Sequence, residues 1–467
     1  MRKVLTVFLT VVMILALVAC GSTGTTSSAN TMSEHSVHGN PPDAPGGNGG
    51  GMPGGAPGSG NSSEVIYAGA VEITSSTSED SKTYSSTSSD QSALMIDTDE
   101  AVKITNATVY KSGDSDGGDN CNFYGQNATV LVMGGSTTTI SGCSISSSAS
   151  GANGVFSYGG NGGQNGAAGD GTTVVISDCT IVTTGSGSGG IMTTGGGVTN
   201  ASNLTVTTSG GSSAPIRTDR GGGTVTVDGG TYTSNGLGSP AIYSTADVTV
   251  SNATLVSNLS EGVCIEGVNS ITLNNCDMTA NNSKCNGNAT FYDTIMIYQS
   301  MSGDADSGTS SFTMTDGSLT SKNGHVFHVT NTTAIITLSG VSVVNEDSDN
   351  ILLSVCDDGW SGGSNTATLN ASSQALEGAV LVGDNSTLTL KLTDGSSFTG
   401  YVGGSIKNAS GKTVSTEAGT VSVTLDNTST WTLTADSYVT KFSGSASSVV
   451  SNGYKLYVNG TAFTGTK

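Results

Sequence analysis

In a chain dominated by small polar side chains, five segments carry groups able to do chemistry. They read Ala214-Pro-Ile-Arg-Thr-Asp219, Pro240-Ala-Ile-Tyr-Ser-Thr245, Val263-Cys-Ile-Glu-Gly267, Ile295-Met-Ile-Tyr-Gln299 and Val326-Phe-His-Val-Thr330. If Ile216, Ile242, Ile265, Ile297 and Phe327 point into a core, alternation along a strand turns the next residue outward. The outward row is then Arg217, Tyr243, Glu266, Tyr298 and His328. Asp219 and Arg220 follow Arg217 at a turn, and Gln299, His325, Asp304 and Asp306 fall near the same edge. Three readings are open. Tyr rings could stack on sugar faces while Arg, Glu and Gln bond hydroxyls or carboxylates. Glu266 or Asp219 could act as acid or base with His328 as partner and Arg217 on developing negative charge, or two carboxylates on adjacent rungs could form a glycosidase pair. The row could also be a plain solvated face with cross-rung pairs. A slip of one residue would turn the whole row inward.

Other chemistry is thinner. Gly113-Asp-Ser-Asp-Gly-Gly-Asp-Asn120 spaces Asp114, Asp116 and Asp119 as weak calcium candidates, but lacks the closing Glu of an EF-hand loop. A solvated acidic turn is the competing reading, and no cofactor is expected. His35 and His38 lie in a polar segment with no ligand spacing around them. Ser and Gly are so abundant that a Gly-x-Ser-x-Gly match would mean little, and no phosphate loop or dinucleotide fingerprint is present. Of eight cysteines, Cys121, Cys143, Cys179, Cys264, Cys276, Cys285 and Cys356 lie in the folded part. Their odd number argues against a complete disulfide framework.

A repeated six-residue phrase must position these groups. It reads apolar, small polar, Asn/Asp/Gly, small, polar, apolar. Copies begin at Ile104, Ile140, Ile176, Ala201, Val227, Val250, Leu273, Met314 and Leu338. Successive starts are 23 to 26 residues apart, or 36 to 41 where a loop intervenes. A fixed period of that size means a solenoid. Asn, Asp and Gly tolerate the left-handed backbone of a sharp corner, and Val, Ile, Leu and Thr suit the strands on either side. Cys143, Cys179 and Cys276 share one place in the phrase, as small apolar residues stacking near the turn. Sustained helical periodicity is absent after residue 60, and 68 of the 467 residues are Gly, which favours turns. The expectation is an all-β chain, a parallel β-helix over 64–375 with further rungs and a cap over 376–467. Long loops at 110–135, 153–171 and 280–312 would wall a groove if the row were catalytic.

The chain opens with Met1-Arg-Lys, an apolar run from Val4 to Ala19, and Cys20. A basic start, a short apolar run and small residues before Cys read as a secretory signal over 1–19, too short for a plain membrane span. Residues 20–63 are Gly-, Ser- and Pro-rich and should form a disordered tether. A formal charge of −21 without a basic patch makes nucleic acid a poor partner.

Leu17-Val18-Ala19-Cys20 resembles the lipobox of bacterial lipoproteins. That resemblance implies acylation of Cys20 and an exported protein anchored to the membrane at the cell surface. The repeats resemble the right-handed parallel β-helix class, the pectin-lyase-like fold, which hosts lyases, glycosidases and adhesins. Thr430-Trp-Thr-Leu-Thr-Ala-Asp-Ser-Tyr-Val439 and Asn452-Gly-Tyr-Lys-Leu-Tyr-Val-Asn-Gly460 are similar to repeats of autotransporter-like adhesins, while Trp431 by itself reads first as a structural cap on the last rung. The leading expectation is a monomeric, adhesin-like binder of glycans or other surface ligands. The alternatives are a polysaccharide lyase or glycoside hydrolase of the same fold, and a passive stalk.

Overall fold

The phrase bends the chain by a backbone device common to every copy. Its third residue (Asn106, Gly142, Asp178, Asn203, Gly229, Asn252, Asn275, Asp316 and Gly340) has φ between 50° and 71° throughout. Asn and Asp reach this left-handed region more readily than most residues with a Cβ. They are tied from coil to coil as well. Asn203 Nδ2 donates to Asp178 Oδ1 at 2.8 Å, Asn252 to Asp228 Oδ1 at 2.8 Å, and Asn275 to Asn252 Oδ1 at 2.9 Å. In two copies the fourth residue is left-handed too, and there it is glycine. A Cβ on Gly317 would come within 2.1 Å of the Cys276 carbonyl oxygen.

The computed structural model describes residues 65–115, 118–300, 302–358 and 364–467. Cys20, His35, His38 and Asp116 lie outside them. Stacked coils build two large all-parallel sheets, of 15 and 20 strands among the described residues, so the fold is a parallel β-helix. The broad sheet carries the strands on both sides of the phrase. Strands such as Gly197–Thr208, Gly223–Ser234 and Ser270–Ala280 run straight through the corner. The narrow sheet carries the third strand of each coil, for example Ile216–Thr218, Ile242–Ser244, Val263–Glu266 and Asp293–Tyr298. At residue 375 the stack continues. Strand Ala375–Val382 pairs in parallel with Ile351–Val355 on one side and Ser397–Gly403 on the other.

The core is a set of columns. The first residue of the phrase stacks as Ile104, Ile140, Ile176, Ala201, Val227, Val250, Leu273, Met314 and Leu338, all buried and in register. Each fully buried Ile, Leu or Met side chain contributes about 1.5–3 kcal/mol. Cys143, Cys179 and Cys276 fill the inward fourth position as buried free thiols, and the Cys143 amide donates to Cys179 Sγ at 3.2 Å.

Candidate functional site

Through the middle coils, from strand Ile216–Thr218 to strand His325–Thr330, the narrow sheet is buried on both faces, and this decides what the chemical row becomes. Ile216, Ile242, Ile265, Ile297 and Phe327 do point into the coil core. Their neighbours Arg217, Tyr243, Glu266, Tyr298 and His328 lie on the outer face but have no solvent: four are 0 % exposed and Tyr298 is 3 %. Loop segments cover them. Helix Asp119–Phe123 lies over the sheet, with the Phe123 carbonyl accepting from Thr194 Oγ1 at 2.6 Å. Phe291, from the loop after Ala280, stacks on His328 at 4.4 Å between centroids, and Ser300 donates to Glu266 Oε1.

The expected single register is also corrected. Arg217 pairs with Tyr243, but Tyr243 pairs with Cys264, and the column continues through Met296 to His328. Glu266 and Tyr298 pair with each other in a second column, two residues further along the strands. The sequence of Val263-Cys-Ile-Glu266 offers two inward residues, Val263 and Ile265, and Ile242 sits beside the first. A two-residue slip keeps the face while changing the column.

What forms is a buried network of hydrogen bonds. Arg217 Nη2 donates to Asp219 Oδ2 at 2.9 Å and Nη1 to the Ser212 carbonyl at 3.3 Å, leaving buried Nε unpartnered. Burial pushes the Asp219 carboxyl up to about 7 in spite of that guanidinium. Tyr243 and Tyr298 donate their hydroxyls to Glu266 Oε2 at 2.7 and 3.1 Å, and burial raises the Glu266 carboxyl above its ordinary range despite these bonds. His328 Nδ1 and His325 Nδ1 lie 2.8 and 2.7 Å from Ser354 Oγ, so that hydroxyl donates to one ring and accepts from the other. Burial lowers His325 to about 4, and burial with His325 nearby lowers His328 to about 3, so both rings are neutral near pH 7. Glu261, Asp293 and Asp358 are buried as well, and burial raises all three carboxyls, Asp358 to about 7.

Arg220 and Gln299 serve the covering loops. Arg220 Nε and Nη2 converge on Asp304 Oδ1 at 3.1 and 2.6 Å, with the guanidinium carbon 4.3 Å from the Phe123 ring centre. Gln299 Nε2 donates to the Ser300 and Ala305 carbonyls at 3.2 Å. The calcium candidates part company: Asp114 Oδ1 accepts from the Ser150 amide at 2.8 Å, while Asp119 begins the short helix, and burial raises its carboxyl although Arg220 opposes the shift. Among the described residues no three His, Cys, Asp or Glu side chains gather as a metal would need.

Polar chemistry that reaches solvent lies elsewhere. On the broad sheet, Thr226, Thr249, Thr272, Thr313 and Thr337 form one outward column flanked by Asn200 and Asn370. Thr224, Asp247, Ser270 and Ser311 run beside it. These side chains are exposed or half-exposed, roughly 4.8 Å apart from coil to coil. Two open cavities interrupt the surface. One of about 410 Å³ is lined by glycines with Asn165, Asn269 and Asp306, and one of about 560 Å³ lies near the C-terminal end. The hydroxyl columns were implicit in the repeat itself, since Thr recurs one residue before the phrase. Comparison with known proteins finds no matching family model, no matching curated protein and no matching solved structure.

Proposed function

We propose that this chain is an exported, lipid-anchored β-helix protein of adhesin-like character that binds glycans at the cell surface. The lipobox-like Leu17-Val18-Ala19-Cys20 supports the anchor, and the pectin-lyase-like repeat pattern supports a glycan ligand. The observation that carries binding over turnover is the sealing of the chemical row. Arg217, Glu266 and His328 have no exposed surface, whereas the hydroxyl and amide columns of the broad sheet reach solvent over many coils. Hydroxyls and amides that both donate and accept suit the hydroxyls of sugars.

One observation favours an enzyme, a lyase or glycoside hydrolase, as the second reading. Asp219 holds its proton up to about pH 7 beside a guanidinium, as a general acid would. That reading requires the loops carrying Phe123, Phe291 and Ser300 to lift. The experiment is a glycan array combined with a polysaccharide-degradation assay on the full chain carrying Cys20→Ser. We expect retention on at least one glycan class and no depolymerisation, with Thr249→Val and Thr272→Val together weakening retention. Depolymerisation abolished by Glu266→Gln would move the assignment to the enzyme. No retention on any glycan would leave a stalk.

A further inference from the structure

The cavity of about 560 Å³ opens where the narrow sheet meets the C-terminal cap, and neither the row nor the hydroxyl columns contribute to it. Its walls are aromatic and acidic. Tyr401, half-buried, comes from strand Ser397–Gly403, and Tyr438 comes from strand Ser437–Val439 of the cap. Tyr438 is 48 % exposed, and one face of its ring is packed. It lies parallel to Tyr457 on the neighbouring strand, 5.1 Å between centroids and 6° between planes. A large aromatic ring packed on one face and half in water offers its other face to a flat ligand at modest entropic cost.

Two acidic residues line the same space. Glu417 is exposed; its backbone carbonyl accepts from Ser415 Oγ at 3.0 Å, while its carboxylate makes no ion pair or hydrogen bond among the described residues. Asp436 accepts the Lys455 amide at 2.9 Å through Oδ1, leaving Oδ2 for a ligand. The Glu417 segment reaches the cavity because Gly404 has no side chain, since a Cβ there would lie 2.0 Å from the Glu417 carbonyl carbon. No Arg, Lys or His lines the cavity. Its size falls within the range of small-molecule sites.

From this geometry we infer that the C-terminal cavity is a binding subsite for an uncharged sugar residue. The sugar's C–H face stacks on Tyr438, and adjacent hydroxyls donate to Glu417 and Asp436 in charge-assisted bonds. The same carboxylates repel uronate chains, so pectin-like polymers are poor ligands here. This rests on the glycan-binding reading and gives it a site and a charge preference.

The test measures binding of the full chain carrying Cys20→Ser by titration calorimetry. The probes are neutral gluco-, manno- and galacto-oligosaccharides, oligogalacturonate and a glucosamine oligomer. We expect a neutral probe to bind best and oligogalacturonate not to bind. Tyr438→Ala and Glu417→Gln should each weaken that binding about ten-fold or more, the loss typical of an anchor residue. Tyr438→Phe keeps the ring and should bind as the parent does, which separates stacking from a folding defect. A neutral probe bound equally by Tyr438→Ala and Glu417→Gln overturns the subsite but leaves glycan binding standing. Preference for oligogalacturonate or the glucosamine oligomer overturns the uncharged-sugar assignment. No glycan bound by the parent chain overturns both.

Discussion

Asp358, Asp219 and Glu266 are carboxyls that folding removes from water, and their protons follow. Asp358 accepts from the Thr290 amide at 3.2 Å and from the Thr290 hydroxyl, yet burial raises it to about 7. In the unfolded chain it would titrate near 4. Between those values the folded state holds a proton that the unfolded state has lost, so stability falls as pH rises from about 4 to about 7 and is level above. His325 and His328 act oppositely, because their folded values of about 4 and 3 lie below the unfolded 6.5; their contribution rises with pH up to about 6.5. Five buried carboxyls are raised against two lowered imidazoles, so the melting temperature should fall between pH 5 and pH 7. Asp358→Asn can keep both Thr290 bonds, with its amide donating to the hydroxyl, and should make that fall shallower by an amount worth up to a few kcal/mol. An unchanged slope in thermal melts across that range would show that Asp358 is ionised in the fold.

Arg220 acts on whole segments. Its fork on Asp304 and its contact with the Phe123 ring join helix Asp119–Phe123 to the 302–308 loop across the turn after strand Ile216–Thr218. Asn165 extends the tie, accepting from the Gly221 amide at 3.0 Å and donating to the Gly303 carbonyl at 3.3 Å. The Arg220 side chain is one-third exposed, so screening limits its worth to about 1 kcal/mol. Arg220→Ala should therefore barely move the global melt, while amide exchange accelerates in residues 119–124 and 302–308 and not in the narrow sheet beneath. Unchanged exchange in those segments would show that burial alone holds the loops. The contrast between strands and loops also explains what the sequence made legible. The corner residue of every phrase copy, the inward Ile residues and the outward face of Arg217 to His328 follow from local rules of backbone and alternation. The column of Glu266 does not, because a two-residue slip leaves alternation intact. Nor does the cover over the row, which depends on Phe123 in a single-turn helix and Phe291 in a loop, segments without periodicity.

At the scale of the molecule, each coil is bonded to the one before and the one after, so stability is the sum of neighbour interfaces and the ends are weakest. The C-terminal end is closed by aromatic packing. Trp431 is fully buried, stacks on Phe398 at 5.6 Å and 24°, meets Phe442 at 6.4 Å, and donates Nε1–H to the Gly400 carbonyl at 3.1 Å. It occupies the narrow-sheet register between Phe398 and Val449, inside the stack. Trp431→Ala would remove the largest buried side chain among the described residues and leave the Gly400 carbonyl with only the Thr434 amide as donor, a loss of about 3–5 kcal/mol. In a globular domain such a loss spreads over one cooperative unit. In a stack it lowers only the interfaces it touches, so amide protection should collapse from about residue 397 to the C-terminus while residues 173–280 keep theirs. The sugar subsite between Tyr401 and Tyr438 would be lost with the collapsed coils, and retention by the Thr249 and Thr272 columns would survive. Uniform loss of protection along the chain would mean that the coils fold as a single unit, and the two binding regions would then fail together.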